Sequence, residues 1–407
     1  MTLRKLLCLL VLTLSVTARA DDFILSYWCG PPESVTNLNK AYAEVAACGF
    51  NYAMLPCTGV SDKGNKAILD ACQKSKLKYI LYDGRIAGAD PNSPAFKTNL
   101  SAVVAQYGKH PALGGYFITD EPDYTALARF GAINRALLDI DPKRVPFINL
   151  YPNYVPGFAL VGHTYEQYVE DFVTNARPRL LSFDHYALLD NNTLRPEYFE
   201  NLEIVRRQGL KHNVPISFIF QLTGHGGYRD PSEEEIRWQV NTGLIYGTKA
   251  LFYFTYWHPP ADPVFAKSIA IIGPKGERTP HYEQAKRVNA AIRAWAPTLM
   301  KLKSTGVYHT GDLPSSTQPL PNQLVQLKGG GAYIIGTFTH QDGSEWLMIM
   351  NRDMRNAATT TLHFPQKIKK LRELSSDKGK LRTVKLRNDD LPVTLPAGGA
   401  KLFKLSQ

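Results

Sequence analysis

The chain has 407 residues, 44% of them hydrophobic, and a formal charge of +11 at pH 7. That length exceeds one ordinary core and fits a large barrel with a smaller domain after it. The charge alone makes no case for nucleic-acid binding, and without an HExxH-like cluster or a zinc-type cysteine spacing no metal or cofactor is expected.

Residues 1–20 carry the pattern of a cleaved secretory signal. Arg4 and Lys5 precede the apolar run LLCLLVLTLSV, and Ala18-Arg19-Ala20 offers a small-x-small cleavage site before Asp21. The run is too short to cross a bilayer, and no later stretch is long enough. A secreted or periplasmic protein without a transmembrane segment is therefore expected, its charge reduced to +8 by loss of Arg4, Lys5 and Arg19. Cys29, Cys48, Cys57 and Cys72 remain, and outside the cytosol such a cluster predicts disulfides. Cys29 and Cys57 fall at neighbouring strand ends, Cys48 and Cys72 late in neighbouring helices. The preferred pairing is 29–57 with 48–72; buried free thiols are the alternative.

Eight β-like runs follow, at 23–29, 50–56, 78–83, 114–120, 145–151, 179–186, 215–221 and 249–257. Between them lie helical patterns with one apolar face, such as LNKAYAEVAACG, ARFGAINRALLDI, YEQYVEDFV and EYFENLEIVRRQG. PSEEEIRWQVNTGLIYG opens with Pro231-Ser232 and acids in its first turn, which marks a helix start. Strict alternation of strand and helix predicts a (β/α)8 TIM barrel over 21–302. Residues 303–407 change character: GAYIIGTFTH, EWLMIMNRD and TTTLHF, with Gly, Asn and Asp turns between, predict a small antiparallel β-sandwich. Residues 301–407 hold 16 Lys or Arg against 8 Asp or Glu. Such charge is a solvated face, or a surface for weak contact with an anionic glycan or envelope.

Chemistry in such a barrel is done at the carboxyl ends of the strands. Strand 1 presents Tyr27 and Trp28 there, strand 3 Asp83, strand 4 Asp120 and Glu121, and strand 5 Asn149 and Tyr151. Strand 6 presents Asp184, His185 and Tyr186, strand 7 Gln221, and strand 8 Tyr256, Trp257 and His258. Aromatic faces pack on pyranose rings while acids and amides bond hydroxyls, so this mouth suits an oligo- or polysaccharide. Glu121 is the candidate general acid, able to protonate a departing glycosidic oxygen. Asp120 would hold a ring hydroxyl or orient Glu121. Asp184 is the provisional second carboxylate, with Asp83 next unless it pairs with Arg85. Tyr186 is a third option as nucleophile. GHGGY at 224–228 reads as a Gly-rich loop over the site, since no G-x-S-x-G nucleophile accompanies it.

With Asp120-Glu121 ending strand 4, Tyr186 on strand 6, Trp257 on strand 8 and LMIMNRD in the C-terminal part, the chain resembles the clan A glycoside hydrolases, especially family 42-like β-galactosidase barrels. The resemblance implies an acid/base role for Glu121 and sugar contacts for Tyr186 and Trp257. The clan's nucleophile is a Glu ending strand 7, where this chain has Gln221 in FIFQLTG. Three outcomes follow. Another carboxylate, Asp184 or Asp83, acts in its place; a loop acid such as Asp230 fills it; or the protein binds sugar without cutting it. Carboxyl separations of roughly 5–5.5 Å would mark retention and about 6.5–9.5 Å inversion.

Overall fold

Eight parallel strands in the computed structural model match the predicted runs: β1 (Ile24–Tyr27), β2 (Tyr52–Ala53), β3 (Lys78–Tyr82), β4 (Leu113–Asp120), β5 (Val145–Leu150), β6 (Leu181–His185), β7 (Ile216–Gln221) and β8 (Ala250–Phe254). The structure describes residues 22–260, 263–265 and 268–406, so the expected signal segment 1–20 lies outside the described residues. The strands pair in the order β1-β8-β7-β6-β5-β4-β3-β2, a nearly closed (β/α)8 barrel. Helix starts follow the chemistry of their sequences. Thr164 and Ser232 each close a capping box, with Gln167 and Glu235, and satisfy amides that the first turn leaves unpaired.

The seam lies between β1 and β2, where two backbone bonds, from Asn51 N–H to the Leu25 carbonyl at 3.2 Å and from Gly30 N–H to the Leu55 carbonyl at 2.9 Å, are joined by one side chain in place of a full ladder. The Asn51 carboxamide accepts the Leu25 N–H at 2.8 Å and donates to the Phe23 carbonyl at 2.9 Å. A Cys29–Cys57 disulfide joins the two strand ends on the opposite side of the seam. The expected Cys48–Cys72 bridge is corrected by the structure: both thiols are free and buried. Cys48 instead turns its Sγ to the Tyr282 carbonyl at 3.5 Å, and burial raises the pKa of each thiol.

Past the helix Pro280–Leu299 come β9 (Leu302–His309), β10 (Gln326–Lys328), β11 (Tyr333–His340), β12 (Glu345–Asn351), β13 (Ala358–His363), β14 (Lys370–Leu374), β15 (Leu381–Val384), β16 (Asp390–Leu395) and β17 (Ala400–Ser406). They form a six-stranded sheet, β15-β14-β17-β12-β11-β9, and a three-stranded one, β10-β13-β16, whose strands pair antiparallel. Alternation along β12 sends Leu347 and Ile349 into the core between these sheets, while Trp346, Met348 and Met350 join the core of the barrel.

Inside the barrel, Phe147 of β5 meets Phe252 of β8 at 5.1 Å and Phe117 of β4 at 6.3 Å. Because β5 and β8 are not neighbours, this contact crosses the interior and identifies which residues point inward. Trp28 and Tyr82 close over the layer, 5.7 and 6.2 Å from Phe117.

Candidate active site

A β-bulge aims the strand 4 acid. Phe117 lies opposite Phe147, but Thr119 lies opposite Ile148 and Asp120 opposite Asn149. Plain alternation from Phe117 would turn Asp120 outward; the extra residue reverses the parity and brings it level with the inward-facing Asn149. Glu121 follows with φ +44°, a left-handed conformation that costs a non-glycine residue about 1–2 kcal/mol. Its N–H is held by the Asn149 carbonyl at 2.9 Å.

Asn149 organises three carboxyls. Its Nδ2 donates to Asp120 Oδ1 at 3.0 Å and to Asp184 Oδ1 at 2.8 Å, while its Oδ1 accepts the Ser182 hydroxyl at 3.2 Å. The carboxyls of Glu121 and Asp184 lie within hydrogen-bonding reach of each other. Two carboxylates that close cannot bond without a proton between them, and burial favours the pair holding one. Burial is the main cause of its retention. It pushes Glu121 up to about 7, with the Asp120 charge adding to the rise and the Asp184 bond opposing it. Asp184, only 3% exposed, is raised well above the carboxylate range by burial and by the charges of Glu121 and Asp120. Asp120 is open to solvent yet closely walled by protein. The wall raises its carboxyl to about 6 despite the Asn149 bond, and the opening lets a ligand reach it.

Aromatic rings surround the acids. Half-buried Tyr151 feels, after its own burial, the charges of Glu121 and Asp120. Tyr186 is raised well above 10 by burial and then by Asp184, which disfavours the phenolate a tyrosine nucleophile needs. Its ring meets Phe254 at 5.0 Å, His225 at 5.1 Å and Tyr228 at 5.6 Å. His225 places Nδ1 2.8 Å from the Thr223 carbonyl, and burial lowers its pKa, so a neutral ring with Nδ1–H is assigned. The structure thus gathers Trp28, Asp120, Glu121, Asn149, Tyr151, Asp184 and Tyr186, and adds His225 and Phe254. The Gly-rich loop signal marked His225; nothing in the pattern marked Phe254 over Trp257.

Other expected site residues lie elsewhere, each for a physical reason. Tyr27 is fully buried on the outer side of β1, stacked on Tyr256 at 4.5 Å. Asp83 caps the short helix Gly84–Ala87, and Arg85 grips both its oxygens at 2.9 and 2.7 Å. His185 follows the inward Asp184 and so points out, fully buried between Tyr154 and Tyr198 and held neutral by burial. Gln221 is also fully buried. Its amide accepts the Leu188 N–H at 3.0 Å and donates to the Leu188 and Arg229 carbonyls, bracing two loops and leaving nothing for a ligand. Trp257 packs against the turn at Gly276, and His258 bonds Pro259 and Ser268 in its own loop. Asp230 is 3.0 Å from His281 Nε2.

Among the described residues no group of three potential metal ligands occurs, and no helix is long and apolar enough to cross a membrane. Two cavities open elsewhere. One is lined by Asp22, Asn51 and Arg293, the other by Arg179, Lys249 and Ser304, so both lie at the amino-terminal ends of the strands, away from the acids.

No family model and no curated protein matches the chain. Solved structures do. A β-galactosidase from Bacillus circulans sp. alkalophilus superposes with a TM-score of 0.61 at 9% identity, over 96% of this chain and 100% of that one. A family 5 glycoside hydrolase from Bacteroides vulgatus gives 0.58 at 10% identity, covering 95% and 89%. A family 51 arabinofuranosidase from Xanthomonas axonopodis pv. citri gives 0.51 at 11%, covering 96% and 97%. At such identities the likeness is one of fold. The shared feature is the (β/α)8 barrel, and the likeness does not single out family 42.

Proposed function

We propose that the protein is a glycoside hydrolase of oligo- or polysaccharides in which Glu121 protonates the departing glycosidic oxygen. The close Glu121–Asp184 pair, with Asp184 fixed by Asn149, carries this reading. A pair sharing one proton holds one acid and one carboxylate, the protonation inventory that glycosidic cleavage requires. Hydrogen-bonding reach puts the carboxyls inside the roughly 5–5.5 Å of a retaining pair, so a substrate must part them. A glycosidic oxygen entering between them would replace Asp184 as partner of Glu121; the shared proton, which Asp184 donates to Glu121 in the closed pair, would pass to Glu121 as the pair opens and leave Asp184 ionised toward the sugar. Asn149 would keep Asp120 and Asp184 oriented during that opening, and Asp120, reachable from solvent, would bind a ring hydroxyl.

Hydrolysis across a panel of glycans tests the assignment. Glu121→Gln removes the proton donor and should lower kcat by roughly 10²–10⁴-fold, and Asp184→Asn should also slow turnover. Unchanged rates in both variants would refute it. A second reading, sugar binding without cleavage, is favoured by the closed pair and by the structural role of Gln221. It requires glycan binding by calorimetry with no product, and any turnover lost in Glu121→Gln rules it out.

The Cys29–Cys57 bridge supports the reading of an exported protein, checked by its recovery from the periplasm or medium. The basic 301–407 segment supports weak contact with anionic glycan of an envelope, which should appear as salt-sensitive retardation in a polyuronate gel.

A further inference from the structure

Six large apolar residues are exposed among the described residues, and four of them, Phe158, Val161, Val264 and Ile269, lie in the loops after β5 and β8. Both loops leave the face that carries the acids, and the Phe147–Phe252 contact shows β5 and β8 facing each other across the barrel. Phe158 is the extreme case at 81% exposure.

The β5 loop does not leave Phe158 outside for lack of packing. Val155 and Ala159, on either side of it, are buried. Asn153 ties the loop to the helix Tyr198–His212 that follows β6, its N–H to Asn201 Oδ1 at 2.8 Å and its Nδ2 to the Glu197 carbonyl at 3.2 Å. His163 stacks on Tyr124 at 3.7 Å, which fastens this loop to the one that leaves Glu121. The short helix Gly157–Leu160 therefore projects Phe158 from a braced support, with little conformational entropy left to lose on binding. Residues 151–164 contain no Asp, Glu, Lys or Arg, so the loop offers an uncharged apolar face. It also begins at Tyr151, beside the acids.

We propose that Phe158 is a stacking platform for a sugar residue remote from the bond being cleaved, so that the substrate is a neutral glycan chain crossing the mouth from the β5 loop to the β8 loop. This rests on the reading of the mouth as a sugar site. A rigid aromatic ring, a loop without Asp, Glu, Lys or Arg of its own and continuity with the acids fit the apolar face of a neutral pyranose.

The test compares the parent with Phe158→Ala, Phe158→Trp and the control Leu313→Ala, an exposed apolar residue beyond the barrel. Probes are gluco-, xylo-, galacto-, manno- and arabino-oligosaccharides of two to six units, with the corresponding polysaccharides. For the series that is cleaved, Phe158→Ala should reduce the hexasaccharide-to-disaccharide ratio of kcat/KM by roughly 3- to 10-fold. The change should lie in KM of the hexasaccharide, with Phe158→Trp restoring the ratio and Leu313→Ala leaving it at the parent value. An unchanged ratio in Phe158→Ala overturns the platform while leaving the hydrolase standing. In parallel, retardation in polysaccharide gels is measured for Glu121→Gln and for Glu121→Gln combined with Phe158→Ala. Retardation weakened by the second substitution, without cleavage by the parent, upholds the platform and removes the hydrolase. Neither cleavage nor retardation with any probe overturns both.

Discussion

Asp184 and Glu121 hold protons that the unfolded chain would release, and this has a sign. In the unfolded chain such groups titrate near 3.9 and 4.3. In the folded protein both are raised, Glu121 to about 7. Their contribution to stability is therefore intact below about pH 4 and is lost as pH rises toward and through 7. Asp184→Asn removes the most buried of these acids, so its melting temperature should exceed that of the parent at pH 8, by roughly 2–4 °C per kcal/mol recovered. The difference should shrink toward pH 4; calorimetry at the two pH values that gave a lower melting temperature for Asp184→Asn at pH 8 would contradict the shared-proton geometry. Residue identity at the strand ends was legible in sequence, but orientation was legible only in part. Alternation alone separates Trp28 from Tyr27, Tyr82 from Asp83 and Asp184 from His185, and a list of every strand-end side chain ignores it. The bulge that turns Asp120 inward left no mark in GGYFITDEP, and the closed hydrogen-bond set of Gln221 depends on loops that are distant from it in sequence.

Among the elements, β2 is the weakest barrel strand, two residues long and laddered only to β3. Its other edge depends on Asn51, whose amide bonds the Leu25 N–H and the Phe23 carbonyl in place of a full ladder. Asn51→Ala strands both groups in a partly buried seam, at about 1–3 kcal/mol for each polar group left unsatisfied. The midpoint of urea unfolding should fall accordingly with the disulfide intact; an unchanged midpoint would show that water closes the seam equally well. The 28-residue separation of Cys29 and Cys57 means their bond restrains the unfolded chain as well, by about 3.6 kcal/mol on a loop-entropy argument. Strand positions were readable because apolar runs and capped helices recur along the chain. The seam was not, because a side chain replacing part of a ladder has no periodicity. Cysteine count suggested two bridges, and the structure contains one because Cys48 turns toward the closing helix.

At the scale of the whole molecule, the C-terminal sheets are tied to the barrel by two indoles. Trp238, on the helix Glu233–Ile245, donates Nε1–H to the Arg352 carbonyl at 2.9 Å, and Trp295, on the closing helix, donates to the Leu374 carbonyl at 3.0 Å. Between them the six-stranded sheet is covered on both faces, by barrel helices on one side and by the three-stranded sheet on the other. The run EWLMIMN, apolar without clean alternation, carries that signal in sequence, since a strand buried on both sides loses its polar face. A close approach in this contact is at Gly398, with φ +60°. A methyl group there would lie 2.6 Å from the Glu234 carbonyl oxygen and 2.8 Å from Trp238 Cβ, both on a helix that cannot yield cheaply. Gly398→Ala must therefore push the sheet off the helix or displace Trp238, and it loses left-handed freedom as well. The expected result is a loss of several kcal/mol, at the level seen when cores are overpacked and about 1–3 kcal/mol or more. Because the damage lies between the two parts, intrinsic fluorescence and far-ultraviolet dichroism, which coincide in the parent if barrel and sheets unfold as one, should separate into two transitions in Gly398→Ala. Coincident transitions at the midpoint of the parent would mean that the sheet rides on the barrel loosely enough to accept the methyl group.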